Sequence, residues 1–185
     1  MLDIATAFGL STSAGLNAYL PLLVVALTAR FFPDLLKLNE PWNVMTSWWI
    51  IGALIVLLLI EMTVDKIPAV DTVNDVIQTI GRPVAGAILF AGSSGVVGDM
   101  HPVLAFIAGL IVAGGIHTVK TIARPAVTAT TAGMGNWLVS IIEDILALIT
   151  AILSILIPII IVLIVGFLLL LFVWWRGRRR RRVAA

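Results

Sequence analysis

A chain of 185 residues that is 61% hydrophobic and 12% charged is too apolar for an ordinary soluble domain, which carries about 25% charged residues. It contains no cysteine, which excludes disulfides, thiolate metal centres and a cysteine nucleophile. The net charge of +2 hides an asymmetry: Arg176 and Arg178 to Arg182 crowd the tail WWRGRRRRRVAA, leaving six basic against ten acidic residues elsewhere.

In chain order, the N-terminus MLDIATAFGL has an early acid and no basic stretch, so it does not read as a secretory signal. Hydrophobic runs then predict spans at about 8–29, 47–64, 83–97, 102–118, 131–153 and 156–175. The apolar run 145–175 would be about 46 Å long as one helix, against a bilayer core of about 30 Å, so a break is expected at Ser154 to Pro158. Between the second and third spans, AVDTVNDVIQTIG (69–81) sets Val70, Val73, Ile77 and Ile80 on one helical face and Asp71, Asn74, Asp75 and Gln78 on the other. That pattern predicts an amphipathic helix on the cytoplasmic surface or folded against the bundle. The expected fold is an all-α integral membrane protein of about six transmembrane helices plus this helix, with residues 1–175 as one domain and 176–185 as a cytoplasmic arginine-rich tail.

Basic residues orient the chain. Lys66, Arg82, Lys120, Arg124 and the tail fall on one side, Arg30 and Lys37 on the other, so the positive-inside rule places both termini in the cytoplasm. Trp42, Trp48 and Trp49 suit an outer aromatic belt and Trp174 and Trp175 an inner one. Rows of small residues, Ala87-Ala91-Gly95 and Ala105-Gly109-Ala113, suit close helix packing inside the chain ahead of a dimer seam.

Two decapeptides echo each other. STSAGLNAYL (11–20) and ATTAGMGNWL (129–138) share four identities, and TIGRP (79–83) resembles TIARP (121–125). Together they suggest a degenerate internal repeat. In transporter folds the binding site lies at the repeat interface, on interrupted helices. Thr12, Ser13, Asn17, Thr130, Thr131, Asn136 and Ser140 are therefore candidates to line a pathway, with re-entrant geometry open at either copy. Each Arg-Pro pair is expected at a helix start, where Arg82 and Arg124 would serve as boundary anchors or hold an anion.

The acidic residues carry the chemistry. Glu61 and Asp65 stand one helical turn apart at the end of the second span, and Glu143 and Asp144 fall inside the fifth. Ionisable groups at membrane depth face the bundle interior and mark pathways or proton relays. Carboxylates also suit hard cations, so these four are candidate cation, proton or metal ligands. His101 and His117 have no metal spacing, and GSSGVVGD (92–99) lacks the Gly-Lys-Ser/Thr ending of a phosphate loop. With no hydrolase elbow or zinc-protease motif, an enzyme is not expected, and neither is a cofactor.

The stretch EMTVDKIPAVDTVNDVIQTIGRPVAGAILF (61–90), with GLNAYLPLL (15–23) and ARPAVTATTAGMGN (123–136), resembles a bacterial membrane family known as domain of unknown function 4126. The resemblance covers roughly residues 8–150 and implies a multi-pass protein of the bacterial inner membrane, with no assigned activity. EMTVDK is also similar, more loosely, to the E-x-G-D-K/R-S/T signature of calcium/manganese–proton exchangers, though its acids stand one residue further apart and the glycine is missing. The expected function is a transporter or channel for a small cation, coupled to protons. Two alternatives stand beside it: binding or translocation of an anionic lipid headgroup or other anion through Arg82 and Arg124, and a non-transporting assembly subunit. Expected partners are the bilayer, anionic lipids at the Arg176–Arg182 tail, a small ion and a second copy of the chain; nucleic acid is not among them.

Overall fold

The computed structural model describes residues 2–64, 68–93, 100–131 and 135–157. Among the described residues the backbone is helical apart from short connections and an isolated antiparallel bridge between Leu38 and Ser93. The helices are α1 (Leu2–Leu16), α2 (Tyr19–Phe31), α3 (Trp48–Val64), α4 (Pro68–Gly92), α5 (Pro102–Thr131) and α6 (Gly135–Ile157), with a short 3-10 helix at Trp42–Thr46.

The expected span 8–29 is two helices. The Asn17 N–H still donates to Ser13 O at 3.1 Å. Its side-chain Oδ1 accepts from Leu20 N–H at 2.9 Å, as a capping residue does at the start of a helix. A side chain that accepts from one of the next helix's first amides lowers the cost of breaking the chain at Asn17 and Ala18. α2 then leads into a loop held by Arg30, whose Nη1 donates to Thr46 O at 2.5 Å and whose guanidinium lies 4.1 Å from the Trp48 ring centroid.

α4 and α5 run antiparallel in close contact, because small residues face each other where they cross. A Cβ added to Gly109 would lie 2.6 Å from the Ala87 Cα, closer than real Cβ contacts, so only glycine fits that crossing. Ala87, Ala105 and Ala113 are fully buried there. The small-residue rows thus serve internal packing, as close approach requires; Gly95 lies outside the described residues. α1 packs on both helices, with Ser11 Oγ donating to Gly86 O at 2.8 Å. It runs antiparallel to α6: Thr6 Oγ1 donates to Ser154 O at 2.8 Å and Ser13 Oγ to Ala147 O at 2.7 Å.

Polarity is inverted relative to a water-soluble bundle. Along α4 the apolar side chains Val76, Ile77 and Ile80 face outward, Ile80 at 72% exposure, while Asn74, Gln78 and Arg82 face inward, Arg82 at 0%. Ile111, Val119 and Ile122 on α5 and Ile142, Ile145 and Leu146 on α6 are likewise exposed.

The expected division into spans changes accordingly. The amphipathic segment 69–81 and the span 83–97 form one helix through Gly92, since Pro83 lies inside α4. The span 102–118 extends to Thr131 through Pro125. The α6 helix includes Ser154 to Ile157, so the chain does not break before Pro158. Residues 158–175, and with them most of the last expected span, lie outside the described residues, as do the tail, Trp174 and Trp175. Two helices, Pro102–Thr131 and Gly135–Ile157, are long and apolar enough to cross a membrane; the other apolar helical segments are shorter.

Candidate functional site: a buried seam of ion pairs

The buried stripe of α5 reads Ala105, Gly109, Ala113, His117, Lys120 and Arg124. Steps of three and four keep these residues on one face. The face is small where α4 crosses and charged beyond, so the same contact that brings the backbones together also encloses three basic or titratable side chains.

At one end of this charged stretch, α3 contributes a single buried acid. Glu61 Oε1 lies 3.1 Å from Arg82 Nη2, with the two side chains 1% and 0% exposed. Arg82 Nη1 stands 3.1 Å from His117 Nδ1. A guanidinium can only donate, so Nδ1 accepts and Nε2 carries the ring proton. That Nε2 faces Thr79 Oγ1 at 3.2 Å, and Thr121 Oγ1 donates to His117 O at 2.9 Å. His117 therefore joins the two Thr-Ile-x-Arg-Pro copies, one on each helix. In each copy proline lacks the amide that would serve the threonine carbonyl four residues earlier.

At the other end, Lys120 Nζ lies 2.8 Å from Glu143 Oε2, and Arg124 Nη2 lies 3.2 Å from the same oxygen. Lys120 Nζ also donates to Leu16 O at 3.3 Å, at the carbonyl end of α1. A cation there complements the negative end of the helix dipole. Asn17, in the break, donates from Nδ2 to Asp144 Oδ1 at 3.0 Å. Thr128 and Asn136 close the α5–α6 hairpin, with Asn136 Nδ2 donating to Thr128 Oγ1 at 3.0 Å. Removing one partner from a buried ion pair typically costs about 3–5 kcal/mol, so these pairs bind the helices to one another as well as forming the site.

The sequence profile of the family described as Domain of unknown function (DUF4126) matches residues 4–178. The chain belongs to the DUF4126 family. No curated protein and no solved structure shows a significant match to it.

Within this DUF4126 chain the expected site residues divide. Glu61, Glu143, Asp144, Asn17, Ser13, Asn136 and Ser140 point into the buried seam or its edge, and Thr12 is half-buried on α1. Thr130 and Thr131 are exposed and bond back to carbonyls of their own helix, Thr130 to Ala126 O at 2.9 Å and Thr131 to Val127 O at 2.7 Å. The described parts of the second decapeptide thus belong to the end of α5 and the start of α6, whereas the first decapeptide interrupts a helix inside the bundle. Ala132 to Met134 of the second decapeptide lie outside the described residues, as does Asp65.

Arg82 and Arg124 do not stand at helix starts. Both sit inside long helices, buried against Glu61 and Glu143. The basic residues Arg82, Lys120 and Arg124 are partners of internal acids. Among the described residues no three His, Cys, Asp or Glu side chains gather in a metal-binding group. Glu61 and Glu143 are instead held by different bases. In the sequence Lys120 stands out only as a charge near the end of an apolar run. Its continuation of the Ala105-Gly109-Ala113 row, through His117, was the available signal that it faces inward.

Proposed function

We propose that this DUF4126 protein is a multi-pass membrane transporter for a small cation, coupled to protons, in which the ion-paired acids of the seam exchange their internal bases for the moving ion. The observation that carries this reading is the helix break at Asn17 set against the Lys120–Glu143–Arg124 cluster. Interrupted helices with exposed backbone ends are how many transporters form sites in the bilayer, and irregular backbone at that depth is tolerated only where protein or a cavity surrounds it. The outward-facing apolar surfaces and inward-facing charges support a bilayer environment. A carboxylate held by a lysine or arginine can release that partner when a proton or free cation arrives. Competition for one carboxylate is the simplest coupling between two ions. The scattered carboxylates favour a monovalent ion over a divalent one.

The alternative of an anion or lipid headgroup held by Arg82 and Arg124 is disfavoured by the engagement of both guanidiniums with carboxylates. The test is uptake into proteoliposomes with simultaneous internal pH recording, for sodium, potassium, calcium and manganese. Uptake linked to proton movement, and lost in the double variant Glu143→Gln, Asp144→Asn, is the expected result. Absence of flux above empty liposomes for all four ions would sink the transport reading.

A further inference from the structure

Lys120 is unusual in what it touches. Its ammonium meets a carboxylate oxygen, Glu143 Oε2, at 2.8 Å and a main-chain carbonyl, Leu16 O, at 3.3 Å. That carbonyl is the final one of an interrupted helix, and its neighbour Asn17 binds Asp144. A carboxylate plus a carbonyl at the negative end of a broken helix is a donor set for a small monovalent cation. The Lys120 side chain is 2% exposed. It reaches this place from α5, so its charge is supplied by the chain itself.

We propose that Lys120 Nζ occupies the position of a monovalent cation at the α1–α2 break, as a tethered stand-in for that ion. The ammonium shares Glu143 with Arg124 and donates to Leu16 O while no free cation is bound. Identifying the displaced species with the transported ion rests on the reading of the protein as a cation transporter. The stand-in role itself rests only on the geometry of the break.

The consequence is specific to size and charge. Shortening the side chain in Lys120→Ala leaves the two oxygen donors and opens room between them. Lys120→Met removes the charge but keeps the volume filled. The full-length wild type and both variants would be purified into lipid nanodiscs and their melting followed in sodium, potassium, ammonium or methylammonium chloride. Choline chloride at equal ionic strength is the control.

Lys120→Ala is expected to be destabilised in choline and restored by at least one small cation. The rise in Tm should be about 3–6 °C when that cation is present at ten times its dissociation constant. Wild type should respond more weakly, because its own lysine competes for the donors, Lys120→Met should not respond, and the response should vanish in Lys120→Ala combined with Glu143→Gln. Equal melting of Lys120→Ala in all five salts would overturn the inference. So would an equal response in wild type, or a Lys120→Ala protein folded in none of the salts, since a supplied cation then does not replace the lysine. Melting and flux are independent readings. A cation response without transport removes only the transport proposal, and transport without a cation response removes only the stand-in.

Discussion

Glu61 on α3 and Arg82 on α4 form a 3.1 Å ion pair with almost no exposure of either side chain. α3 buries little else along its length, chiefly Ile51 and Leu54, so this pair is a principal tie between α3 and the bundle. Arg82→Met alone should lower stability by about 3–5 kcal/mol, because it leaves a buried carboxylate without its base. Combining it with Glu61→Leu should recover most of that loss. A double-mutant cycle measured by denaturation in lipid or detergent checks this, and additive losses would refute it.

The tautomer of His117 gives a second test. Arg82 donates to Nδ1 and Nε2 faces Thr79 Oγ1. Asparagine at this position can supply an acceptor near the place of Nδ1, whereas leucine supplies none. His117→Leu should therefore destabilise by about 1–3 kcal/mol more than His117→Asn. The comparison of the two melting curves decides it.

Asn17 serves both sides of the helix break, accepting from Leu20 N–H and donating to Asp144. Asn17→Ala loses both bonds. The loss of the cap alone is worth about 0.5–2 kcal/mol, and the carboxylate loses a donor besides. Asn17→Asp keeps the acceptor for Leu20 but sets two acids together. Both variants should melt below wild type, and amide exchange at Leu20 should accelerate in Asn17→Ala far more than in Asn17→Asp.

Ser13 and Ser140 make a control pair. Both are fully buried, but Ser13 Oγ bonds Ala147 O at 2.7 Å whereas Ser140 Oγ has no hydrogen-bond partner among the described residues. Ser13→Ala should cost about 1 kcal/mol and Ser140→Ala close to nothing. A Ser140→Ala protein that melts normally yet loses flux would identify this hydroxyl as part of the ion path.

Gly109 tests the packing that holds the seam. Its missing side chain admits Ala87, so Gly109→Val should separate α4 from α5. The expected cost is about 1–3 kcal/mol or more. Because Arg82 and His117 bridge the same two helices, the cost should be smaller when His117 is already replaced. Melting of the single and double variants measures that coupling.

Helical class, apolar surface and the importance of the two small-residue rows were all legible in the sequence, because they depend on composition and on spacing along one helix. The break at Asn17 was legible only as a polar, glycine-containing stretch within a span. Helix ends were less so: Pro83 and Pro125 suggested helix starts, yet both helices continue through them, since packing against neighbours compensates for a lost amide bond.

Residue types alone offered two opposed readings, acids that bind a cation and arginines that bind an anion. Tertiary structure joined them into the same pairs. Glu61 meets Arg82 across 21 positions of chain, and Glu143 meets Lys120 and Arg124 across 23 and 19. A charge in the sequence states what a residue can attract; which opposite charge lies within 4 Å depends on how helices cross. Here that crossing was decided by a glycine and several alanines, through a close approach that no charge pattern encodes.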